Sequence, residues 1–193
     1  LTLPSDCVRI YDAHGEEICT AMAAGAAVDD LPEYVGQAFI AVEDKRFYTH
    51  GGIDARRVFS ALWHNLTSFS FKEGASTISQ QLIKNTHLSS EKTIERKLKE
   101  IKLARILEKH YSKEEILSLY LGSIYFGHSA FGIRSAARFY FGIDASELDV
   151  AQSAMLAAIV RSPNRYSPFR DAKSCLARRD LVLNLMREQG YLS

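Results

Sequence analysis

Residues 39–52 read FIAVEDKRFYTHGG, an apolar run that stops at two adjacent carboxylates, Glu43 and Asp44, ahead of Phe47, His50 and a glycine pair. If the run is helical, the two acids sit at its C-terminal end. There the backbone dipole disfavours negative charge, and each carboxylate disfavours ionisation of the other. This is the setting in which a carboxyl group serves as a general base or acid near neutral pH. The alternative is a pair turned to water, or Asp44 paired with Lys45 or Arg46.

A second group of chemical side chains lies in GASTISQQLIKN, residues 74–85. Gly74 and Ala75 give a flexible approach, and Thr77 and Gln80 have the spacing of a capping box. A helix starting there offers free N–H groups and the hydroxyls of Ser76 and Thr77 as an anion site. Gln80 with Lys84, and Gln81 with Asn85, are one turn apart and share faces. The G-x-x-x-x-G-K pattern of a nucleotide-binding loop is absent. A third group lies in EKTIERKLKEIKLARILEK, residues 91–109, with Ser89 or Ser90 as the expected cap. Glu100 falls one turn after Arg96 and three residues after Lys97, with Lys99 beside it. A carboxylate among cations stays ionised, unlike one at a crowded helix end; ordinary surface pairing explains the same spacing.

These side chains need a scaffold, and the chain is long enough to build one. Its 193 residues, 47% apolar and 24% charged, describe one globular core with at most two small lobes. No stretch approaches the ~18 uncharged apolar residues of a membrane span, and no secretion signal opens the chain. It reads as soluble or peripheral, or as one domain of a longer protein. Net charge is +1, but residues 84–113 carry nine bases against four acids, while residues 1–44 carry nine acids and one base, Arg9. Such segregation points to an anionic ligand, or to solvated helix faces.

Helix signals dominate. Asp30 with Glu33, Ser112 with Glu115, and Asp149 with Gln152 have capping-box spacing, and Gly190 suits a C-terminal cap. Residues 8–20, with a glycine-containing turn at 12–15, read as a β-hairpin. Cys7 and Cys19 flank that turn, as two reduced thiols or, if they face each other, as a disulfide. Zinc-type spacing is absent. The stretch 56–72, RRVFSALWHNLTSFSFK, is apolar almost all round with cations at its ends, which by itself predicts a buried helix. The fold class is mainly α with a small N-terminal β-hairpin.

Taken together and in order, these stretches resemble the peptidoglycan glycosyltransferase family, the transglycosylase domain of class A penicillin-binding proteins. Glu43, Asp44, Phe47, His50 and Gly52 match its first motif. Gly74, Ser76, Thr77, Ile78, Gln80, Gln81, Leu82, Lys84 and Asn85 match its second, with Ser79 in place of Thr. Arg96, Lys97 and Glu100 match the third. ILSLYLGSIYFGHSAFGIRSAARFYFG at 116–142 carries the fourth, with Gly122 where the family has Asn. ELDVAQSAMLAAIVRSPNRYSP echoes the fifth, with Gln152 in place of a frequent acid. The resemblance covers roughly residues 8–192.

The resemblance implies a lysozyme-like, two-lobed helical domain at 31–193, preceded by the hairpin and lead-in at 1–30. The implied reaction is polymerisation of lipid II into glycan strands, with inversion at the donor MurNAc carbon and release of polyprenyl diphosphate. Glu43 is the implied general base. Glu100 is implied across the cleft, assisting the donor diphosphate directly or through a divalent metal, Mg or Mn; no nucleotide is needed. Lys84, Lys92, Arg96 and Lys99 suit diphosphate contact, and Lys97 is a further implied substrate-binding residue. Asp44, Phe47, His50, Gly74, Ser76, Thr77, Gln80, Gln81 and Asn85 complete the implied substrate site. In the family a region here spanning about 53–75 is a small membrane-facing lobe, which turns the reading of 56–72 from core to membrane surface. The implied location is the extracytoplasmic face of the cell membrane, with an anchor ahead of the domain that this chain lacks and a transpeptidase domain behind it. A lysozyme-type hydrolase is the rival enzyme, disfavoured because a neutral glycan needs no cation array. A nucleic-acid binder is disfavoured because the bases are interleaved with acids and not with stacking aromatics.

Overall fold

The computed structural model describes residues 28, 30–60, 76–87 and 93–193, and the backbone of 7–11 and 17–22. Two strands, β1 (Cys7–Tyr11) and β2 (Glu17–Met22), pair antiparallel. The rest is helical: α1 (Glu33–Glu43), a 3-10 turn at Phe47–Thr49, then α2, of which residues 55–60 are described. There follow α3 (Ile78–His87), α4 (Ile94–His110), α5 (Lys113–Ser123) and α6 (Ile133–Phe141). A second 3-10 turn at Ala145–Glu147 leads to α7 (Val150–Val160) and α8 (Ala172–Glu188). Among the described residues no helix is long and apolar enough to cross a membrane.

Helix ends follow local chemistry. The boxes at Ser112/Glu115 and Asp149/Gln152 form in both directions. Thr77 and Gln80 do the same at the start of α3: the Thr77 N–H donates to Gln80 Oε1 at 3.0 Å, and Gln80 N–H to Thr77 Oγ1 at 3.2 Å. Gly190, at φ 78°, follows the C-cap Gln189 of α8. Two caps differ from expectation. The N-cap of α1 is Pro32, because Asp30 takes a left-handed backbone (φ 68°) and Glu33 instead accepts from Gln37 one turn on. The cap of α4 is Thr93, whose hydroxyl accepts from Arg96 N–H at 3.1 Å, beyond both expected caps, Ser89 and Ser90. Strand register corrects the cysteine expectation: Cys7 lies opposite Met22, and Cys19 opposite Ile10. Three residues of offset is roughly 10 Å along a strand, too far for a disulfide across the pair.

The core packs α1 between α7 and α8 on one side and α5 on the other. Phe39 is fully buried and meets Tyr120 and Phe126 edge-on, with centroids 6.3 and 6.1 Å away. Burying such a side chain is worth about 1.5–3 kcal/mol, enough to fix the direction of α1 and so the place where it ends. The turn beyond α1 is held against α4 by Gly52. Its φ is +85°, and a β-carbon there would stand 2.8 Å from the Ala104 carbonyl oxygen.

Candidate functional site

α1 ends at Glu43, a residue only 7% exposed. Gln81, on the first turns of α3, donates from Nε2 to Glu43 Oε2 at 2.9 Å. The other face of that amide is set by Tyr120, whose hydroxyl donates to Gln81 Oε1 at 3.3 Å. The Tyr120 phenol is pushed well above its usual value by burial, and next by the negative charges of Glu43 and Asp44. It therefore keeps its proton and fixes the amide's orientation. Glu43 Oε1 has no hydrogen-bond partner. A buried carboxylate oxygen without a donor is costly, and one set beside an oriented amide is ready to accept a hydroxyl proton.

The unfavourable end of α1 is compensated from two directions. The Arg57 guanidinium donates to the Glu43 carbonyl, supplying a cation where the helix dipole is negative. Asp44 is fully buried and turns away from Glu43. It accepts from the first amide of α3, Ile78 N–H, at 2.9 Å, while His50 Nε2 lies 2.9 and 3.0 Å from its two oxygens. The anion site expected at the start of α3 is thus filled by the chain's own carboxylate. Thr77 Oγ1 donates to the Gly52 carbonyl at 2.8 Å, tying the same corner to the loop after α1.

Glu100 is 1% exposed on the inner face of α4. It accepts from Arg96 Nη1 at 2.9 Å and from Lys97 Nζ, and Lys97 Nζ also donates to Ser76 Oγ at 3.0 Å. The segment entering α3 thus reaches Lys97, a partner of Glu100, through Ser76, while α3 itself reaches Glu43 through Gln81. Of the remaining expected residues, Phe47 is fully buried, Thr77 and Gln80 are buried, and His50 faces inward. Lys84 and Asn85 are exposed on α3. Lys99 lies on the outer face of α4, paired with Glu95 at 2.7 Å. Gly74, Lys92, the turn at 12–15 and most of 56–72 fall outside the described residues.

The donor set does not fit a protein-held divalent metal. Both Glu100 oxygens already accept from cations, and among the described residues no three His, Cys, Asp or Glu side chains converge. A divalent ion takes several oxygen ligands, which this carboxylate alone cannot supply.

Three further residues border the site that sequence spacing does not mark, Tyr120, Arg57 and Arg178. Burial holds the Arg178 guanidinium, on α8, below its usual pKa, an effect that Tyr166 and the charge of Glu43 partly offset. Its guanidinium sits 5.0 Å over the Tyr166 ring and donates to the Ala158 carbonyl at 3.3 Å. A signal for Tyr120 was present, since it stands in the fourth motif. None existed for Arg178, which reaches Glu43's field from more than 130 positions away in the chain.

Comparison with known proteins adds an independent line. The family model described as Transglycosylase matches residues 17–187. The chain is 42% identical over 188 residues to penicillin-binding protein 1F of Bacillus subtilis, covering 96% of this chain and 26% of that protein. It is 45% identical over 188 residues to penicillin-binding protein 1A/1B of the same organism, covering 95% and 21%, and 39% identical over 189 residues to penicillin-binding protein 1A of Escherichia coli, covering 96% and 22%. The chain thus spans about a quarter of the length of these relatives. A crystal structure of penicillin-binding protein 1A from Haemophilus influenzae shares the fold, with a TM-score of 0.51 and 22% identity over 100% of this chain and 20% of that one. A motif-bearing helical domain that buries Glu43 against α3 and Glu100 against the cations of α4, matched by that family model over almost its whole length, belongs to the transglycosylase family, the peptidoglycan glycosyltransferase domain of class A penicillin-binding proteins.

Proposed function

We propose that this domain polymerises lipid II, with Glu43 as the general base. The observation that carries the proposal is the asymmetry of the Glu43 carboxylate: Oε2 is held by Gln81, and the buried Oε1 has no partner. Oε1 takes the proton of the acceptor GlcNAc 4-hydroxyl. The freed oxygen attacks the anomeric carbon of the donor MurNAc from the face opposite the diphosphate, so the configuration inverts and polyprenyl diphosphate leaves. Negative charge develops on that leaving group, and cations fixed beforehand lower the barrier. Arg96 and Lys97, held by Glu100, and Lys84 are suited to this. Glu100 is then the anchor of the cations, and no step runs through a metal.

Asp44 and His50 support the corner on which Glu43 stands, while Ser76, Gln80, Gln81 and Asn85 border the donor sugar. Substrate reaches the domain at the extracytoplasmic membrane face, with 56–72 as the segment that meets the membrane. A transpeptidase domain in the whole protein would act on that product. Labelled lipid II tests the reading: the protein should build long glycan chains, and Glu43→Gln should abolish polymer while retaining substrate binding. Cleavage of preformed glycan without synthesis would replace it with a hydrolase.

A further inference from the structure

Glu108 is a buried carboxylate that the mechanism above does not use. It lies on α4 two turns beyond Glu100, with its side chain 6% exposed. Residues 100, 104 and 108 fall on one face of the helix, so this face carries two acids where an apolar stripe would pack more cheaply. A buried carboxylate is tolerated only when several donors surround it. Glu108 has them from separate elements. Ser79 on α3 donates its hydroxyl to Oε1 at 2.5 Å, and Lys113 at the start of α5 donates to Oε2 at 2.6 Å.

The contacts continue to the first motif. Lys113 Nζ also donates to the His50 carbonyl at 2.7 Å and lies 4.5 Å over the Phe47 ring. His50 Nδ1, buried with no hydrogen-bond partner, is 3.7 Å from Glu108 Oε1, and its Nε2 meets both oxygens of Asp44. Asp44 in turn holds the Ile78 amide at the head of α3, three positions before the Gln81 that orients Glu43. The groups facing His50 are thus Asp44 from the end of α1, Glu108 from α4 and Lys113 from α5.

We propose that Glu108 is a positioning residue: through Ser79, Lys113 and His50 it locks α3 against the end of α1 and so sets the Gln81–Glu43 contact. The proposal rests on the reading of Glu43 as base, but its structural half does not. Without the Glu108 charge the Lys113 ammonium loses its ion-pair partner, and the head of α3 meets the end of α1 through the Asp44–Ile78 and Glu43–Gln81 contacts without that support. Small displacements of a reacting group from remote changes cost up to about 100-fold in rate.

The test is Glu108→Gln, which keeps the shape and removes the charge. Three measurements apply: kcat and KM with lipid II, thermal unfolding, and amide hydrogen exchange at Ile78. The expected result is a roughly 10- to 100-fold lower kcat with KM within about twofold, a folded protein, and Ile78 exchange at least about tenfold faster. If Glu108→Gln does not fold, Lys113→Met removes one arm and should show the same pattern more weakly. The double variant Glu108→Gln/Lys113→Met should be no worse than the poorer single, since both act through one link. A kcat within twofold of the parent, unchanged Ile78 exchange, or additive losses overturns the proposal. Full activity of Glu43→Gln would instead remove the base assignment, while the exchange result would still judge the Glu108 link.

Discussion

Gln81 and Glu43 stand 2.9 Å apart, amide nitrogen to carboxylate oxygen, on helices that do not follow one another in the chain. Because the Tyr120 hydroxyl occupies the amide oxygen, Gln81 has one way to face, and Glu43 is left with one oxygen committed and one open. Gln81→Ala should therefore reduce kcat by about 10- to 100-fold with a much smaller change in KM. Steady-state polymerisation kinetics check this. A pure rise in KM would make Gln81 a binding group alone.

Glu100→Gln breaks a buried ion triad without changing its volume. Arg96 is 15% exposed in its side chain and depends on Glu100, while Lys97, at 40%, can turn to water. Removing one partner of a buried pair costs 3–5 kcal/mol in closed sites; with one arm open to solvent the expected loss is about 1–3 kcal/mol. Urea unfolding measures it. KM for the diphosphate-bearing donor should rise as the cations lose their anchor, and added Mg or Mn should not restore it.

Gly52→Ala meets two obstacles, a backbone at φ +85° and the Ala104 carbonyl oxygen 2.8 Å from the new β-carbon. Strain in the left-handed region costs on the order of 1–2 kcal/mol, and the close contact with backbone adds to it. The variant should unfold at lower denaturant and lose activity as the loop carrying His50 shifts off Asp44. An unchanged midpoint would show that the loop relaxes freely.

Tyr140 gives the domain an alkaline limit. Burial, followed by Cys175 and Tyr125, raises its phenol from 10.0 to about 12, and its hydroxyl donates to the Phe126 carbonyl at 2.7 Å. The folded state binds this proton more tightly than the unfolded chain. Its contribution is complete below pH 10 and falls as pH rises from 10 towards 12. Denaturation midpoints should drop over that window, and Tyr140→Phe should lessen the drop while costing about 1 kcal/mol at neutral pH for the lost hydrogen bond. An identical alkaline drop in the variant would assign it elsewhere, with buried Tyr120 the next group to test.

Features that depend on neighbours within one turn were mostly determined by the sequence alone, the Asp30/Glu33 spacing and the cap of α4 being the exceptions. The boxes at Ser112/Glu115, Asp149/Gln152 and Thr77/Gln80 form as their spacing requires, and Arg96 and Lys97 close on Glu100 from the same helix. The isolation of Glu43 and Asp44 at a helix end was legible too, since it needs only the helix and its dipole. The different roles of those two acids were not. Tertiary structure sends Asp44 inward to the head of α3 and leaves Glu43 with Gln81, through contacts 34 and 38 positions apart. It likewise brings Arg57 to the end of α1, gives Glu108 its donors and slides Cys19 out of line with Cys7. Local spacing encodes helix caps and ion pairs because 3.6 residues return to one face. Which buried carboxylate keeps a free oxygen depends on donors arriving from distant helices, and only packing decides which donors arrive.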